Sequence, residues 1–459
     1  MSPVAPTLDV IVLAAGQGKR MHSDLPKVLH PLAGQPLLAH VLAAAGLLAP
    51  RAVHVVYGHG GERVPASLAQ AKVDWVLQAE QHGTGHAVRQ AMPGIADDGV
   101  VLVLYGDVPL IRPETLAPLV EAAAGGDLAL LTAELDDPQG YGRVLRAADG
   151  RVRAVVEQRD CTPDQAAVRE VNTGILAAAA RPLRAWLSRL TNDNAQREYY
   201  LTDVIALAAA DGVTITPSQP RFLWEVMGVN SKAQLAELER VAQRNRAQEL
   251  MERGVTLMDP ARFDLRGELS VGRDVVIDVN VVLEGKVTLG DRVRIGPNNV
   301  IRDCEIGADT EILPNCVLER SRIGSSCRIG PFSRMRPETA LADRVHIGNF
   351  VELKKSTIGA GSKINHLSYV GDTTVGAKVN IGAGTITCNY DGANKYQTVI
   401  GDGAFIGSDT QLIAPVTVGA GATVGAGTTV TQDVPPDVLA IGRARQKIIE
   451  NWKRPVKKK

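Results

Sequence analysis

Apolar residues recur about every six positions through the second half of the chain, and this period constrains the fold more than any other feature of the sequence. An α-helix repeats every 3 to 4 residues and a half-buried strand every 2, so a period of six indicates a prism with three flat sides, each contributing one inward residue. The repeat predicts a parallel β-helix with about 18 residues in each coil. The inward positions are Val271, Ile277, Leu283, Leu289, Ile295, Ile301, Ile306, Ile312, Leu318, Ile323, Ile329, Met335, Leu341, Ile347, Leu353, Ile358, Ile364, Val370, Val375, Ile381, Ile400, Ile406, Leu412, Val418, Val424 and Val430.

Glycine follows many of the inward residues, as in Ile329-Gly330 and Val424-Gly425. A residue without a Cβ turns tightly there without a steric clash. A glycine-rich β-sandwich is the alternative, but it predicts period-two alternation and a turn every 8 to 12 residues. The repeat is interrupted between Ile381 and Ile400, so at least part of the polar stretch 385–397 must leave the prism. Loops that interrupt a regular solenoid commonly carry function.

Composition excludes several classes of protein. Lys plus Arg and Asp plus Glu both number 50, so no net charge attracts this chain to nucleic acid or to an anionic membrane. The five cysteines contain no C-x-x-C pair, which argues against a disulfide framework and a zinc site and fits a reducing cytoplasm. No signal peptide and no long uncharged apolar window is present, so we expect neither export by that route nor membrane insertion.

The first half of the chain alternates β-rich runs with Ala- and Leu-rich helical stretches. Strands are predicted at 8–13, 53–57, 100–105, 128–133 and 222–229, and helices at 36–48 and 113–124. This alternation predicts a Rossmann-like, mostly parallel sheet covered by helices, with ligands at the carboxyl ends of its strands. A long connecting helix is predicted at 231–254, capped by Ser231 and ended by Gly254, and a short basic helix at 443–452. We therefore expect domains at 1–230 and 255–459, joined by a linker helix at 231–254.

The first predicted strand runs into a glycine-rich segment, Leu13-Ala14-Ala15-Gly16-Gln17-Gly18-Lys19-Arg20-Met21. Glycines after a strand let backbone N–H groups approach phosphate, and Arg20 and Lys27 would offset its charge. The segment is not a Walker A motif, since no Ser or Thr follows Lys19, nor G-x-G-x-x-G, since Met21 fills the last position. The alternative is that such a short glycine pattern forms only a structural turn.

Asp107 directly follows the apolar strand 100–105, which must be interior. Its carboxylate is therefore predicted at the ligand-binding edge of the sheet, where a carboxylate and nucleotide phosphates suit Mg²⁺. The alternative is a turn cap before Pro109.

Long polar side chains cluster in the β-helix, which needs only small and apolar residues. Arg336 and Lys354 are 18 residues apart, so they should stack on one side of the prism and could clamp one phosphate. His366 lies 12 residues beyond Lys354 and therefore on a different face, so a site that joins them requires the loop or a second chain. The alternative is a pair of solvated surface cations.

Several segments together resemble the sugar-nucleotide pyrophosphorylases. Besides the first glycine-rich segment they are Pro26-Lys27, Gln78-Ala79-Glu80-Gln81-His82-Gly83-Thr84-Gly85-His86, Tyr105-Gly106-Asp107, Tyr141-Gly142-Arg143, Val171-Asn172-Thr173-Gly174 and Gly228-Val229-Asn230. With the β-helix behind them, nearly the whole chain resembles the bacterial bifunctional N-acetylglucosamine-1-phosphate uridyltransferases and glucosamine-1-phosphate acetyltransferases.

This resemblance implies a left-handed β-helix, a cytoplasmic homotrimer and two reactions. The β-helix acetylates glucosamine-1-phosphate with acetyl-CoA, and the first domain then transfers UMP from UTP and releases pyrophosphate. The alternative is a single-function sugar-phosphate nucleotidyltransferase whose β-helix is regulatory or an assembly scaffold. The chain departs from the family at Lys19, where Thr is usual, and at Glu338-Thr339, where the family more often has Gly-Ala shortly after Arg336.

The same resemblance implies the site residues. UTP and UDP-N-acetylglucosamine are bound by Leu13, Ala14, Ala15, Gly16, Arg20, Lys27, Gln78, Gly83, Thr84, Tyr105, Gly106, Asp107, Gly142, Glu157, Asn172 and Asn230. Asp107 and Asn230 carry Mg²⁺. Glucosamine-1-phosphate is bound by Arg336, Lys354, Tyr369, Asn380 and Lys395, and acetyl-CoA by Ala383, Asn389, Tyr390, Ser408, Ala426 and Arg443. His366 is the general base.

The two chemistries have different needs. A sugar phosphate is already ionised at neutral pH, so it attacks the α-phosphate without a base when cations offset the repulsion between anions. We accordingly expect His82 and His86 to be structural. An amine must be unprotonated to attack a thioester, and imidazole is the side chain whose ordinary pKa lies nearest cellular pH. That requirement favours His366 as the base.

Overall fold

The computed structural model describes residues 7–457 and divides into two compact units, one ending at Ala242 and the other beginning at Gln243. The division falls inside the helix Lys232–Glu252, where the sequence predicts a connecting helix. Ser231 Oγ accepts a hydrogen bond from the backbone of Gln234 at 3.2 Å, and Gly254 follows the helix with φ +91°. Both predicted end signals are therefore in place.

The first unit is built on a mixed, mostly parallel sheet. Its strands are β1 Leu8–Leu13, β2 Ala52–Tyr57, β3 Asp74–Leu77, β4 Val100–Tyr105, β5 Leu128–Glu134, β6 Gly142–Arg146, β7 Val152–Val156, β8 Glu170–Ala179 and β9 Ile215–Ser218. The main order is β9-β5-β8-β4-β1-β2-β3, and β6 pairs with β8 and β7. Neighbours among β1 to β4 are parallel, whereas β8 runs antiparallel to β4 and β5. A small hairpin joins Pro31–Leu32 to Gln35–Pro36.

Helices cover both faces of this sheet, so β1 and β4 are buried on both sides and read as continuous apolar runs. The helices of the first unit and the connection are α1 Leu37–Gly46, α2 Arg63–Ser67, α3 Thr84–Ala91, α4 Pro113–Ala124, α5 Pro163–Ala166, α6 Ala180–Arg189, α7 Asp203–Ala210 and α8 Lys232–Glu252. Short 3₁₀ helices lie at Lys19–Met21, Lys27–Leu29, Met92–Gly94, Gln158–Asp160, Leu223–Val226 and Pro260–Arg262.

The predicted strand at 222–229 is wrong. This run of β-forming residues contains the 3₁₀ helix Leu223–Val226 instead. The buried carboxylate of Glu225 accepts a hydrogen bond from the backbone of Phe222 at 3.0 Å and another from the Thr115 hydroxyl. This polar anchor closes a turn where hydrophobicity alone suggests a strand.

The second unit is a parallel β-helix. One face is an eleven-stranded sheet made of Thr256–Leu257, Val276–Ile277, Arg294–Ile295, Glu311–Ile312, Arg328–Ile329, His346–Asn349, Lys363–His366, Asn380–Ile381, Phe405–Ile406, Thr423–Val424 and Leu439–Ala440. We call it the first face. The other two faces are linked in one sheet made of Phe263–Val271, Val281–Leu289, Val300–Arg302, Glu305–Ile306, Val317–Glu319, Ser321–Ile323, Arg334–Met335, Thr339–Leu341, Glu352–Lys354, Thr357–Ile358, Tyr369–Gly371, Thr373–Val375, Ile386–Cys388, Thr398–Ile400, Gln411–Ile413, Val416–Val418 and Thr429–Val430.

The predicted inward residues form the core of this prism. All of them are buried except Val271, which packs against the core while partly exposed. Equivalent residues pair between coils, as Met335 does with Leu353 and Ile347 with Ile364. Each side chain therefore sits directly over its counterpart one coil away, and the surface residues form rows along the prism.

The interrupting loop is shorter than the polar stretch suggests. Ile386–Cys388 still pairs with Gln411–Ile413, so only residues 389–397 leave the prism. Thr398–Ile400 then pairs with Thr373–Val375, as an uninterrupted coil would. We call residues 389–397 the excursion loop.

The predicted basic helix at 443–452 is wrong, because the structure gives this segment no helical turns. Its apolar side chains are exposed rather than packed, including Ile448 at 78% and Trp452 at 64%. A short helix without a packed apolar face is marginal in water. Within residues 7–457, no helix is long and apolar enough to cross a membrane.

Core truncation should be costly in the β-helix. Ile301→Ala removes a fully buried side chain from the strand Val300–Arg302. We expect it to lower the free energy of unfolding by about 2 to 5 kcal/mol, since the coils above and below cannot close the cavity. Urea unfolding followed by circular dichroism measures this loss. The matched control is Val300→Ala on the same strand, where the side chain is only half-buried; equal losses in the two variants would contradict the packing described.

Candidate active sites

A pocket of about 510 Å³ lies at the carboxyl ends of β1 and β4. This edge of a parallel sheet is where α/β folds commonly bind ligands. The pocket is lined by Leu13, Ala14, Ala15, Gly16, Gln17, Lys19, Lys27, Val28, Gln78, Gln81, Gly83, Thr84, Ala87, Tyr105, Asp107 and Glu198. The structure thus brings together the glycine-rich segment, the segment 78–86 and the end of β4, which are far apart in sequence.

A cation holds two oxygen ligands together at the floor of the pocket. Lys27 Nζ forms an ion pair with the Asp107 carboxylate and donates to Asn230 Oδ1 at 3.2 Å. The backbone of Val229 also donates to the Asp107 carbonyl at 2.8 Å, which fixes the two segments side by side. A carboxylate and an amide oxygen therefore converge on one positive charge.

His86 braces the side chain of Gln78. Gln78 Nε2 donates to the Gly83 carbonyl at 3.2 Å and to His86 Nδ1 at 2.9 Å. Burial and the neighbouring His82 lower the pKa of His86, which favours the neutral ring that can accept this bond. The amide oxygen of Gln78 is left for a ligand. His86 is predicted to be structural, and its contact with Gln78 is not evident from the sequence, because the i to i+8 spacing shows no periodicity.

Beside the pocket, buried polar groups surround Tyr105. The pKa of its hydroxyl is raised by burial and then by the negative charges of Glu157 and Asp107. Burial also raises the pKa of Glu157, although the Thr202 hydroxyl donates to it at 3.1 Å. Asn172 Oδ1 accepts from the backbone of Gly174 at 3.0 Å, and a Cβ at Gly174 would collide with the Tyr105 ring.

Most of the predicted nucleotide-binding residues line the pocket or lie beside it. Gly106 bonds to β1 through its backbone, at 2.9 Å from the Leu13 carbonyl. Gly142 lies next to Glu157, where a Cβ would come within 3.6 Å of the carboxylate. Arg20 differs, since it is exposed and does not line the pocket. Lining residues that the sequence analysis did not assign are Gln17, Lys19, Val28, Gln81, Ala87 and Glu198.

In the β-helix, three cations lie together on the linked faces. Arg336 and Lys354 follow the paired residues Met335 and Leu353, so they stack in adjacent coils as their spacing predicts. Lys395 of the excursion loop lies beside Lys354, and its charge, together with burial, lowers the pKa of Lys354. The Tyr369 ring folds over Gly371, the residue paired with Lys354. Arg336 is paired with Glu352 at 3.1 Å, whereas Lys354 and Lys395 repel each other, and a bound anion relieves such repulsion.

His366 lies on the first face, at the end of the strand Lys363–His366. In the coils that follow His366, a row of small residues continues to Arg443. The Arg443 side chain lies over Gly427, where a Cβ on the glycine would come within 3.4 Å of it. The row is defined by backbone bonds between coils, from Leu367 to Asn349, Gly384 to His366, Asp409 to Ala383 and Gly427 to Ser408. We call Asn349, His366, Ala383, Ser408 and Ala426 the histidine row.

We call Arg336, Lys354 and Lys395 the cationic cluster. This cluster and the histidine row occupy different faces of one chain. Asn380 belongs with the histidine, since it pairs with Lys363 on the first face. Asn389 is buried and donates to the Asp372 carboxylate, which also lies 4.0 Å from Lys354 Nζ. Asp372 therefore lies against the cationic cluster as its counter-charge, and no motif in the sequence indicates it. Tyr390 is exposed on the excursion loop.

Comparison with known proteins assigns both halves of the chain. A family model described as a MobA-like NTP transferase domain matches residues 10–257. A GMPPB C-terminal domain model matches residues 265–349, and a bacterial transferase hexapeptide model of six repeats matches residues 397–432. Curated relatives named Bifunctional protein GlmU cover nearly the whole chain. That of Aromatoleum aromaticum is 62% identical over 98% of this chain and 99% of its own, and that of Azoarcus sp. is 61% identical over 98% and 100%.

The chain belongs to the GlmU family of bifunctional proteins. It is therefore a bifunctional transferase of UDP-N-acetylglucosamine biosynthesis, with a nucleotidyltransferase unit and an acetyltransferase β-helix of hexapeptide repeats. The fold class predicted from the sequence, including the left-handed β-helix that the resemblance implies, is confirmed. The single-function alternative is not supported.

The contact between His86 and Gln78 predicts a specific defect. His86→Leu should raise the KM for UTP about fivefold, because losing one hydrogen bond costs about 1 kcal/mol and leaves the Gln78 amide free to turn. Initial-rate measurements of uridylyl transfer at varied UTP concentration measure this change. His82→Leu is the control. The His82 ring lies 5.2 Å from that of His86 and bonds to Glu80 at 2.7 Å, so this variant removes the neighbouring imidazole but leaves the bond between His86 and Gln78 in place. An unchanged KM in His86→Leu would show that Gln78 does not need this brace.

Proposed function

We propose that uridylyl transfer takes place in the pocket of the first unit, and that acetylation of glucosamine-1-phosphate takes place between the cationic cluster and the histidine row. The convergence of Lys27, Asp107 and Asn230 at the carboxyl ends of the strands carries the first assignment. The stacked cations on one face and the row of small residues that follows His366 on another carry the second.

In the pocket, the glycine-rich segment would cradle the phosphates of UTP with its backbone N–H groups. Ala14, Gly16, Gln78, Gly83 and Thr84 would contact the uridine. The remaining proposed nucleotide and sugar ligands are Leu13, Ala15, Arg20, Lys27, Tyr105, Gly106, Asp107, Gly142, Glu157, Asn172 and Asn230. Lys19 lines the pocket and adds a cation to the phosphate loop.

The oxygen ligands at the pocket floor fit Mg²⁺. Asp107 and Asn230 already converge on the Lys27 ammonium, and a carboxylate with an amide oxygen is a donor set that this ion accepts. Bound Mg²⁺ would supply charge neutralisation for the phosphates of UTP. Lys27 would then be released to pair with phosphate oxygens, so the chain itself contributes a second positive charge.

The chain has no need of a base for this reaction. The phosphate of the sugar is ionised at neutral pH, so the task is to align it with the α-phosphate and to offset their repulsion. Lys27 and Lys19 supply positive charge on the nucleotide side. The partly buried Glu157, the buried Asn172 and the backbone of Gly142 offer hydrogen-bonding groups for the sugar.

In the β-helix, Arg336, Lys354 and Lys395 would hold the phosphate of glucosamine-1-phosphate, with Tyr369 and Asn380 on the sugar. His366 would take a proton from the attacking amine. Acetyl-CoA would lie along the histidine row, where Ala383, Ser408 and Ala426 present no long side chain and Arg443 stands at the end. Three coils separate His366 from Ala426, a span of roughly 14 Å along the prism. Asn389 and Tyr390 would close this site from the excursion loop.

We further propose that the site is completed by a homotrimer. One chain separates its histidine row from its cationic cluster, so a neighbouring copy must bring the two together. Beside Asn349 and His366 stand Phe350 and Leu367, which with Phe332 form an exposed apolar row. The rings of Phe332 and Phe350 stack at 5.3 Å.

The backbone of this apolar row supports an interface. Phe332, Phe350 and Leu367 all have φ between 46° and 56°, a region that large apolar residues avoid. The preceding coils place Asn298 and Asn315 in the same kind of conformation, and asparagine is favoured there. Burial against a second copy would compensate the cost of the three bulky residues.

The cytoplasm is the proposed location. All five cysteines are free, and burial raises the pKa of the Cys304 thiol to about 11, so it stays protonated and unreactive. These properties support a chain that folds and works under reducing conditions.

Reciprocal variants test the two assignments. Asp107→Ala and the isosteric Asp107→Asn should lower uridylyl transfer by about 10²-fold or more, because charge stabilisation at the phosphates is lost. Acetyl transfer should stay near that of the unchanged protein. His366→Ala should lower acetyl transfer by about 10²-fold or more and leave uridylyl transfer from supplied N-acetylglucosamine-1-phosphate unchanged. Loss of both activities in either variant would contradict separate sites.

The trimer is tested by replacing two bulky residues of the apolar row with asparagine, which favours their backbone conformation. Phe332→Asn combined with Phe350→Asn should relieve the backbone cost yet remove apolar area from the interface. We expect a smaller assembly by light scattering and acetyl transfer lowered more than about tenfold, since several buried aromatic contacts are lost. Uridylyl transfer is the internal control. A trimer with full acetyl transfer would rule out this surface as the interface.

A further inference from the structure

His366 has one side-chain partner in the structure that none of the preceding assignments uses. Its Nδ1 lies 2.9 Å from Oδ1 of Asn349. The two residues are paired in adjacent parallel strands, His346–Asn349 and Lys363–His366. Their backbones are joined as well, since Leu367 donates to the Asn349 carbonyl at 3.1 Å. The amide oxygen is therefore held against the ring by the stacking of coils.

The identity of the partner atom decides which ring nitrogen carries hydrogen. A neutral imidazole has one N–H, and a carbonyl oxygen can only accept a hydrogen bond. Nδ1 must therefore be the donor, and Nε2 keeps its lone pair. The bond made by one ring nitrogen commonly fixes the role of the other in this way.

We propose that Asn349 is a positioning residue for acetyl transfer, which holds His366 in the tautomer whose Nε2 can accept a proton. This inference rests on the proposed role of His366 as base. As the amine nitrogen bonds to the thioester carbon, Nε2 takes its proton and the carbon–sulfur bond breaks. The proton then passes from the imidazolium to the departing thiolate, so the ring returns to its starting form.

An amide suits this position better than a carboxylate would. It fixes the tautomer without a negative charge, which would favour the protonated ring at neutral pH. The charged and titratable groups around the pair are Arg328, on the strand that flanks that of Asn349, His346, on the strand of Asn349 itself, and Lys363, on the strand of His366. On the other neighbouring strand, Asn380 and Ile381 are neutral. A carboxylate at position 349 would therefore be the nearest anion in this set.

The experiment measures acetyl transfer by the full-length protein as a function of pH. In Asn349→Ala, kcat should fall at least about tenfold, part of the 10²-fold or more that a positioned base contributes. In Asn349→Asp, kcat should be largely restored at high pH, because the carboxylate also accepts from Nδ1. Its acidic limb should move upward by about one pH unit, the smallest effect expected from an adjacent opposite charge.

Two controls make the outcome specific. His346→Gln removes the other imidazole that faces the pair and should leave the acidic limb in place. Uridylyl transfer should be unchanged in every variant, which reports that the first unit has folded. The circular dichroism spectrum of each variant should match that of the unchanged protein, which reports that the β-helix has folded.

Three results would overturn the proposal. Full activity in Asn349→Ala would show that the ring needs no brace. Inactivity of Asn349→Asp beside an active Asn349→Ala would show that the amide donates from nitrogen, which is the opposite arrangement. An acidic limb that does not move in Asn349→Asp would show that the two side chains do not interact during catalysis. His366→Ala separates these failures from failure of the base itself, since unaltered acetylation there would remove the proposed role of His366.

Discussion

The stacking of one coil directly on the next is the constraint on which the second unit depends. Backbone N–H and carbonyl groups pair between coils, and each inward residue contacts its counterparts above and below. Because register is fixed, any side chain one coil further along occupies the same place on the surface. The fold thus arranges chemistry in rows. Arg336 with Lys354 forms one row, and Asn349 with His366 begins another.

In the first unit the corresponding constraint is the sheet edge. Burial of β4 on both sides forces the chain to end its apolar run before it can present Asp107. The Val229 backbone bond then brings Asn230 alongside. Since both oxygens face the Lys27 ammonium, this cation is held in position before a nucleotide binds. A pocket prepared in this way has less reorganisation to perform when anions meet within it.

The parts of the structure that follow periodic rules could be predicted from the sequence. The inward positions, the strand leading to Asp107 and the one-coil relation of Arg336 to Lys354 all follow from spacing alone. The errors lie where a single contact outweighs a pattern. Glu225 turns a β-forming run into a 3₁₀ helix through two hydrogen bonds, and the apolar side chains of the segment 443–452 stay exposed.

Site residues were harder to predict when their role depends on another side chain. Asp372 pairs with Asn389 and approaches Lys354, yet no motif marks it. Asn349 reaches His366 across one coil of 17 residues rather than 18, and Gln78 reaches His86 across a turn. Such contacts depend on side-chain direction and local register. A pattern read along the chain contains neither.

The excursion loop shows that this fold accepts an inserted segment without disturbing the stacked coils. It leaves and rejoins the prism between strands that pair as if nothing had been inserted, with Thr373–Val375 on Thr398–Ile400 and Ile386–Cys388 on Gln411–Ile413. Its length therefore imposes no shift on the coils that follow. Insertions or deletions at this point can change the surface beside Lys354 while every stacked row keeps its alignment. The fold can in this way vary one part of its surface without rebuilding the framework.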